Sequence, residues 1–196
     1  MLHVEVIDDP ATAVVALNPI RSRLLAEMAE PASAASLAGR VGLSRQKVKY
    51  HLNALEDHGL IQEARNRQWG GLMERLLVAT ATSYVVSPSA LGPVAADPVR
   101  EKDRLSASYL IALAARVIRE VGSLFRLATQ ANKRLATLSM DTEVRFRTPA
   151  DQAAFAQELT ATLISLVAKY HDEKTPGSRA HRVMVLAHPL PTHTRK

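Results

Sequence analysis

The sequence predicts a mainly α chain of the α+β class, and three observations carry that expectation. Hydrophobic residues make up 47% of the 196, drawn chiefly from alanine and leucine, with aromatics at only 4%, a composition that favours helix over sheet. In the first half, short stretches with helical spacing follow one another, each opened by a capping residue, and give way after Gly59 to alternating, extended patterns. In the second half a long proline-free stripe precedes two short alternating segments that flank one more helix. The length suits one large or two small domains, and the composition divides the chain in two. The boundaries read as 1–87, a linker over 88–97 rich in Pro88, Gly92 and Pro93, and 98–196.

Val4, Val6 and Ile7 predict a short strand or an ordered arm. An acid at Asp8 or Asp9 before Pro10 opens a helix to about Leu17, and Asn18-Pro19 repeats the device. A capping side chain followed by proline at the first helical position suits a helix start. Ile20, Leu24, Leu25 and Met28 are the buried face of the second helix, and Pro31 ends it. Ser33 caps a third helix with Ala35, Leu37, Ala38 and Val41 inward, and Gly42 turns the chain.

Ser44 then caps the helix around which the domain is organised, LSRQKVKYHLNALEDHGLI. Val48, Leu52 and Leu55 give it one apolar stripe, and Gly59 supplies a left-handed stop. Its other face carries Arg45, Gln46, Lys49, Tyr50 and Asn53, side chains that hydrogen-bond phosphates and base edges. No acid occurs from Pro31 to Leu55, while Arg40, Arg45, Lys47 and Lys49 are basic. A solvated surface helix mixes its signs, so the asymmetry points to a polyanion. Two helices about a glycine turn, the second basic, make a helix-turn-helix. Leu60 to Arg67 and Leu72 to Ala79 predict a hairpin with Gln68-Trp69-Gly70-Gly71 at its tip, followed by an extended piece at Tyr84-Val85-Val86. A hairpin directly behind the basic helix is a wing, and Arg65 and Arg67 would reach flanking phosphates.

The formal charge is +6 with a pI near 9.9, but its distribution matters more. Residues 1–96 hold nine basic and nine acidic side chains, and the excess lies in residues 97–196, including Arg179, Arg182, Arg195 and Lys196. The nucleic-acid expectation therefore rests on the patch after Ser44, because an overall excess speaks as readily to solubility.

Residues 10 to about 80 resemble the winged helix-turn-helix domain of ArsR-type bacterial transcriptional regulators. The resemblance is carried by Asn18-Pro19 with Arg21 and Leu24, Leu37-Ala38, Leu43-Ser44, Val48, His51-Leu52, Leu55 and Gly59-Leu60-Ile61. It implies a homodimer on a palindromic operator, with Ser44, Arg45, Gln46, Lys49 and Tyr50 facing double-stranded DNA; the residue pattern of the helix and wing itself adds Lys47, Asn53, Arg65 and Arg67 to that surface. His51 is then a packing or phosphate-contact residue. Metal-sensing members place thiolates in the helix before the turn, and this chain has no cysteine. Metal sensing is therefore not carried over, and no cofactor is expected.

Asp97-Pro98 opens what reads as a helix of about 42 residues to Ser139, roughly 60 Å long. Leu110, Leu113, Val117, Val121, Leu124, Ala128, Ala131, Leu135 and Leu138 form its stripe, widened by Ile111, Ile118 and Phe125. So broad a face on so long a helix predicts homodimerisation, with packing on the chain's own final helix as a second source of cover. Thr142–Arg147 and HRVMVLAHP alternate as strands about a helix from Thr148-Pro149 to Tyr170, giving a helix–strand–helix–strand unit. An apolar effector between Phe125, Val144, Phe146, Met184 and Leu186 is a further expectation.

The sequence lacks G-x-S-x-G, phosphate-loop and H-E-x-x-H signatures, so no enzyme is expected. His181, His188 and His193 match no common metal spacing. No apolar run long enough to span a membrane and no leader-like N-terminus is seen, which together suggest a cytoplasmic protein. The reading is a sequence-specific, dimeric DNA-binding transcriptional regulator, a repressor by preference. Two alternatives stay open: a ligand-binding or protein-interaction module whose winged domain leaves DNA alone, and an architectural DNA binder without an effector.

Overall fold

The computed structural model describes residues 2–69 and 72–191, and the chain divides into two compact units, Met1–Leu135 and Ala136–Lys196. The division falls later than the expected linker, so the first unit takes in the long helix.

In that unit the expected caps form. The Asp9 carboxylate accepts from the Thr12 amide at 2.7 Å and starts α1 (Pro10–Ala16). The Asn18 side-chain oxygen accepts from Ile20 and Arg21 at the head of α2 (Pro19–Ala26). Ser33 and Ser44 do the same for α3 (Ala34–Val41) and α4 (Arg45–Asp57). Gly42 takes the left-handed conformation at φ 69°, and the Leu43 amide reaches back to the Ala38 carbonyl to close α3. Leu24, Met28, Leu37, Val48, Leu55 and Leu60 are fully buried and form the centre on which these helices lock.

Four strands in two pairs frame the helices. β1 (Glu5–Ile7) pairs in parallel with the later β4 (Tyr84–Val86). β2 (Ile61–Trp69) and β3 (Leu72–Ala79) form the antiparallel hairpin behind α4. Ala32 exchanges backbone hydrogen bonds with Leu77 of β3, tying the α2–α3 connection to the hairpin. The Tyr84 hydroxyl donates to the Leu60 carbonyl at 2.8 Å and joins the two strand systems.

The long helix is shorter than its pattern. Residues 98–106 form turns, because the Asp97 and Asp103 carboxylates accept from the Val99 and Leu105 amides and hold the backbone out of helix. α5 runs Ala107–Gln130, 24 residues from a Ser106 cap. Asn132 at φ 51° ends it, with the Lys133 amide bonding the Ala128 carbonyl, a termination that asparagine tolerates. Residues 133–139 are not helical.

The face α5 buries is also not the expected one. Ala112, Ala115 and Gly122 are buried where the helix packs on β1 and on the 3-10 segment Pro88–Val94. Small residues let two backbones approach closely. The bulky stripe is left uncovered: Ile111, Val121, Leu124 and Leu127 are exposed, and Leu110, Leu113 and Val117 are half-buried.

In the second unit, Thr148 caps α6 (Pro149–Tyr170). The two segments expected as strands, Thr142–Arg147 and residues 181–189, carry no strand pairing. Alternation specifies which face of a strand is apolar, but a strand needs a partner for its backbone groups. Neither segment supplies the other, so the expected helix–strand–helix–strand unit reduces to one helix between unpaired segments.

Candidate nucleic-acid interface

The basic helix presents the face its sequence marked out. Val48, His51, Leu52 and Leu55 turn inward, while Ser44, Arg45, Gln46, Lys47, Lys49, Tyr50 and Asn53 are all exposed, Tyr50 at 69%. No hydrogen bond or ion pair from a described residue holds the side chains of Arg45, Gln46, Lys47, Lys49 or Asn53. Positions 45, 46, 49, 50 and 53 follow one another along one side of the helix. The Ser44 hydroxyl is occupied as the cap. Arg40 is occupied too, donating to the Glu27 carbonyl at 3.1 Å beside the Glu27 carboxylate.

Gly42 and Gly59 hold this helix at its two ends. The first sets the angle at which α4 leaves α3. The second, at φ 67°, lets the Leu60 amide bond the Leu55 carbonyl and returns the chain to the core as β2.

His51 belongs to the packing rather than to the outer face. It is 7% exposed, and its ring meets Tyr50 edge-on at 5.2 Å. Burial lowers its pKa below the ordinary 6.5, and the neighbouring cations Arg21 and Lys47 lower it further. Among the described residues, its Nδ1 and the Nε of Arg21 are buried without hydrogen-bond partners.

In the wing, Arg65 is exposed. Arg67 lies in β2 opposite Glu74, but its side chain, that of Trp69 and the Gly70-Gly71 tip lie outside the described residues, as do His193, Arg195 and Lys196. The pairing register steps between Glu63 and Arg65, a bulge that bends the hairpin. Sequence reasoning missed the residue at its base. Arg75 of β3 forks onto the Glu56 carboxylate at the end of α4 and donates its Nε to Glu63 at 2.6 Å. The Asn66 amide donates to the other Glu63 oxygen at 3.0 Å. The available signal was that Arg75 is the only basic residue between Gln68 and Val99.

The residues expected around an effector do not meet within one unit. Phe125 lies on α5 of the first, and Val144, Phe146, Met184 and Leu186 belong to the second. There Phe146 instead faces Phe155 at 5.4 Å in an open depression beside Arg145 and Glu158. Among the described residues no group of three or more His, Asp or Glu side chains is placed to hold a metal ion. Among the described residues no helix is long and apolar enough to cross a membrane.

With the glycine corner between α3 and α4 and the bent hairpin behind them, the first unit contains a winged helix-turn-helix. In agreement, residues 16–63 match the family model of a helix-turn-helix domain, a match that covers well under half of the chain. No functionally curated protein matches the chain. Among solved structures, NolR from Sinorhizobium fredii is similar at 18% identity and a TM-score of 0.30, over 57% of this chain and 82% of that one.

Proposed function

We propose that the protein is a sequence-specific DNA-binding transcriptional regulator that acts as a homodimer. One observation carries the reading: a capped helix displays Arg45, Gln46, Lys49, Tyr50 and Asn53 on a face free of acids, and no protein group among the described residues takes up its cations. A helix of this kind fits the major groove, where amides and guanidinium groups read base edges and neighbouring cations meet phosphates. Arg65, and Arg67 by its position in β2, would add backbone contacts from the wing.

The uncovered stripe on α5 supports the homodimer. Val121, Leu124 and Leu127 follow one another at a spacing of three on one stretch of helix and are exposed, and neighbouring exposed apolar side chains of this kind mark association. A two-fold dimer would set two recognition helices on half-sites about one turn of duplex apart, hence a palindromic operator. Repression by operator occupancy is the simplest output. We assign the chain no catalytic step.

The test is selection of bound duplexes from a random pool by the full-length protein. Enrichment of a palindrome supports the reading. Retention of no duplex above an unrelated control would reject it and favour a winged domain that serves protein contacts.

A further inference from the structure

The wing of this domain is bent by a bulge and braced at its base by the guanidinium of Arg75. The bulge between Glu63 and Arg65 leaves Glu63 on the core side of the bend and Arg65 on the tip side. Arg75, opposite Asn66 in the register, reaches back past the bend. Its guanidinium engages Glu63 of β2 through Nε and Glu56 of α4 through both terminal nitrogens. Three elements therefore meet at one planar fork: the end of the recognition helix and both strands of the wing. Asn66 extends the network across the bulge through Glu63.

The fork geometry suits orientation. Arginine grips a carboxylate with two parallel donors, which fixes direction as well as distance. The side chains are between 30% and 48% exposed, and pairs of that exposure contribute little to global stability. The network also hides two carboxylates that would otherwise stand bare between the basic helix and Arg65. Arg75 is thus unavailable to bind a phosphate itself.

We propose that Arg75 is a positioning residue for nucleic-acid binding: by clamping Glu56 to Glu63 it fixes the angle between the recognition helix and the wing, and so decides whether Arg65 reaches the phosphates flanking the site. The proposal rests on the DNA-binding reading above.

Positioning can be separated from simple masking of negative charge. Arg75→Met removes the clamp and bares both acids. Arg75→Met with Glu56→Gln and Glu63→Gln removes the clamp and leaves no bare acid. Hydroxyl-radical footprints of the full-length protein on a pool-selected duplex should show the central protection retained in both variants and the flanking protection lost in both. The slope of log affinity against log salt should fall by about one. Amide exchange on free protein gives a second readout: the hairpin amides of residues 63–67 should exchange faster in both variants, with α4 unchanged.

Return of the flanking protection in the triple variant would reduce Arg75 to a charge mask and overturn the proposal. Unchanged hairpin exchange in Arg75→Met would overturn it without reference to DNA. Failure of the wild-type protein to protect any duplex would instead reject the DNA-binding reading, and this proposal with it.

Discussion

Gly122 of α5 lies against Val6 of β1 so closely that a Cβ built on the glycine would stand 2.7 Å from the Val6 Cβ. Two further contacts guard this approach. Arg126, one helical turn on, pairs with Asp8 at 2.9 Å, and the Ser89 hydroxyl donates to the other Asp8 oxygen at 3.0 Å. The long helix is therefore fastened to the strand next to α1, and its small-residue side is spent on that contact.

Gly122→Ala should loosen the fastening. The methyl gains about 1 kcal/mol of helix propensity, but overpacking against a branched side chain costs about 1–3 kcal/mol. Urea unfolding should show a net loss, and adding Val6→Ala should recover it. A single variant as stable as wild type would mean the approach is not a constraint.

The opposite side of α5 carries the dimer expectation. Val121→Glu with Leu124→Glu changes two residues that are already exposed in the single chain, so the fold should survive. Sedimentation equilibrium should then report a monomer. A persistent dimer would move the interface elsewhere.

His51 links pH to stability. Its native pKa is lowered from 6.5, first by burial and then by Arg21 and Lys47. The unfolded chain therefore takes up the proton before the folded one does. The stabilising effect of the neutral ring is present above about pH 6.5 and is lost as pH falls from there through the lowered native value. Urea unfolding between pH 5 and pH 8 should show wild type losing stability relative to His51→Gln on the acid side. A constant difference between the two would contradict this.

The face of α4 is testable residue by residue. Loss of a base contact should cost about 1–3 kcal/mol and relax sequence preference, whereas loss of a phosphate contact should mainly reduce the salt slope. Fluorescence anisotropy on Arg45→Ala and Lys49→Ala across a salt series sorts the two cases.

What could be read from the residues depended on the range of the interaction. Asp9, Asn18, Ser33 and Ser44 each cap the helix their position suggested, because a cap is settled within three residues. The outward face of α4 followed from its periodicity and its missing acids. The ends of α5 did not, because Asp97, Asp103 and Asn132 bend the backbone locally without breaking the apolar pattern. Its packing face was misjudged for a related reason: a bulky stripe marks the surface that needs cover, while the chain met its own strand with alanine and glycine. Thr142–Arg147 and residues 181–189 have strand-like alternation, but pairing is decided by another stretch of backbone. The Arg75 fork joins residues 12 and 19 apart in sequence and left no periodic trace.

The central claim is that α4 enters duplex DNA, and the most direct measurement is the affinity of full-length protein for a pool-selected duplex as a function of salt. We expect log affinity to fall linearly with log salt, and binding to be lost when Arg45→Ala and Lys49→Ala are combined. A double variant that binds the same duplex with wild-type affinity and salt slope would show that this helix is not the surface that meets DNA.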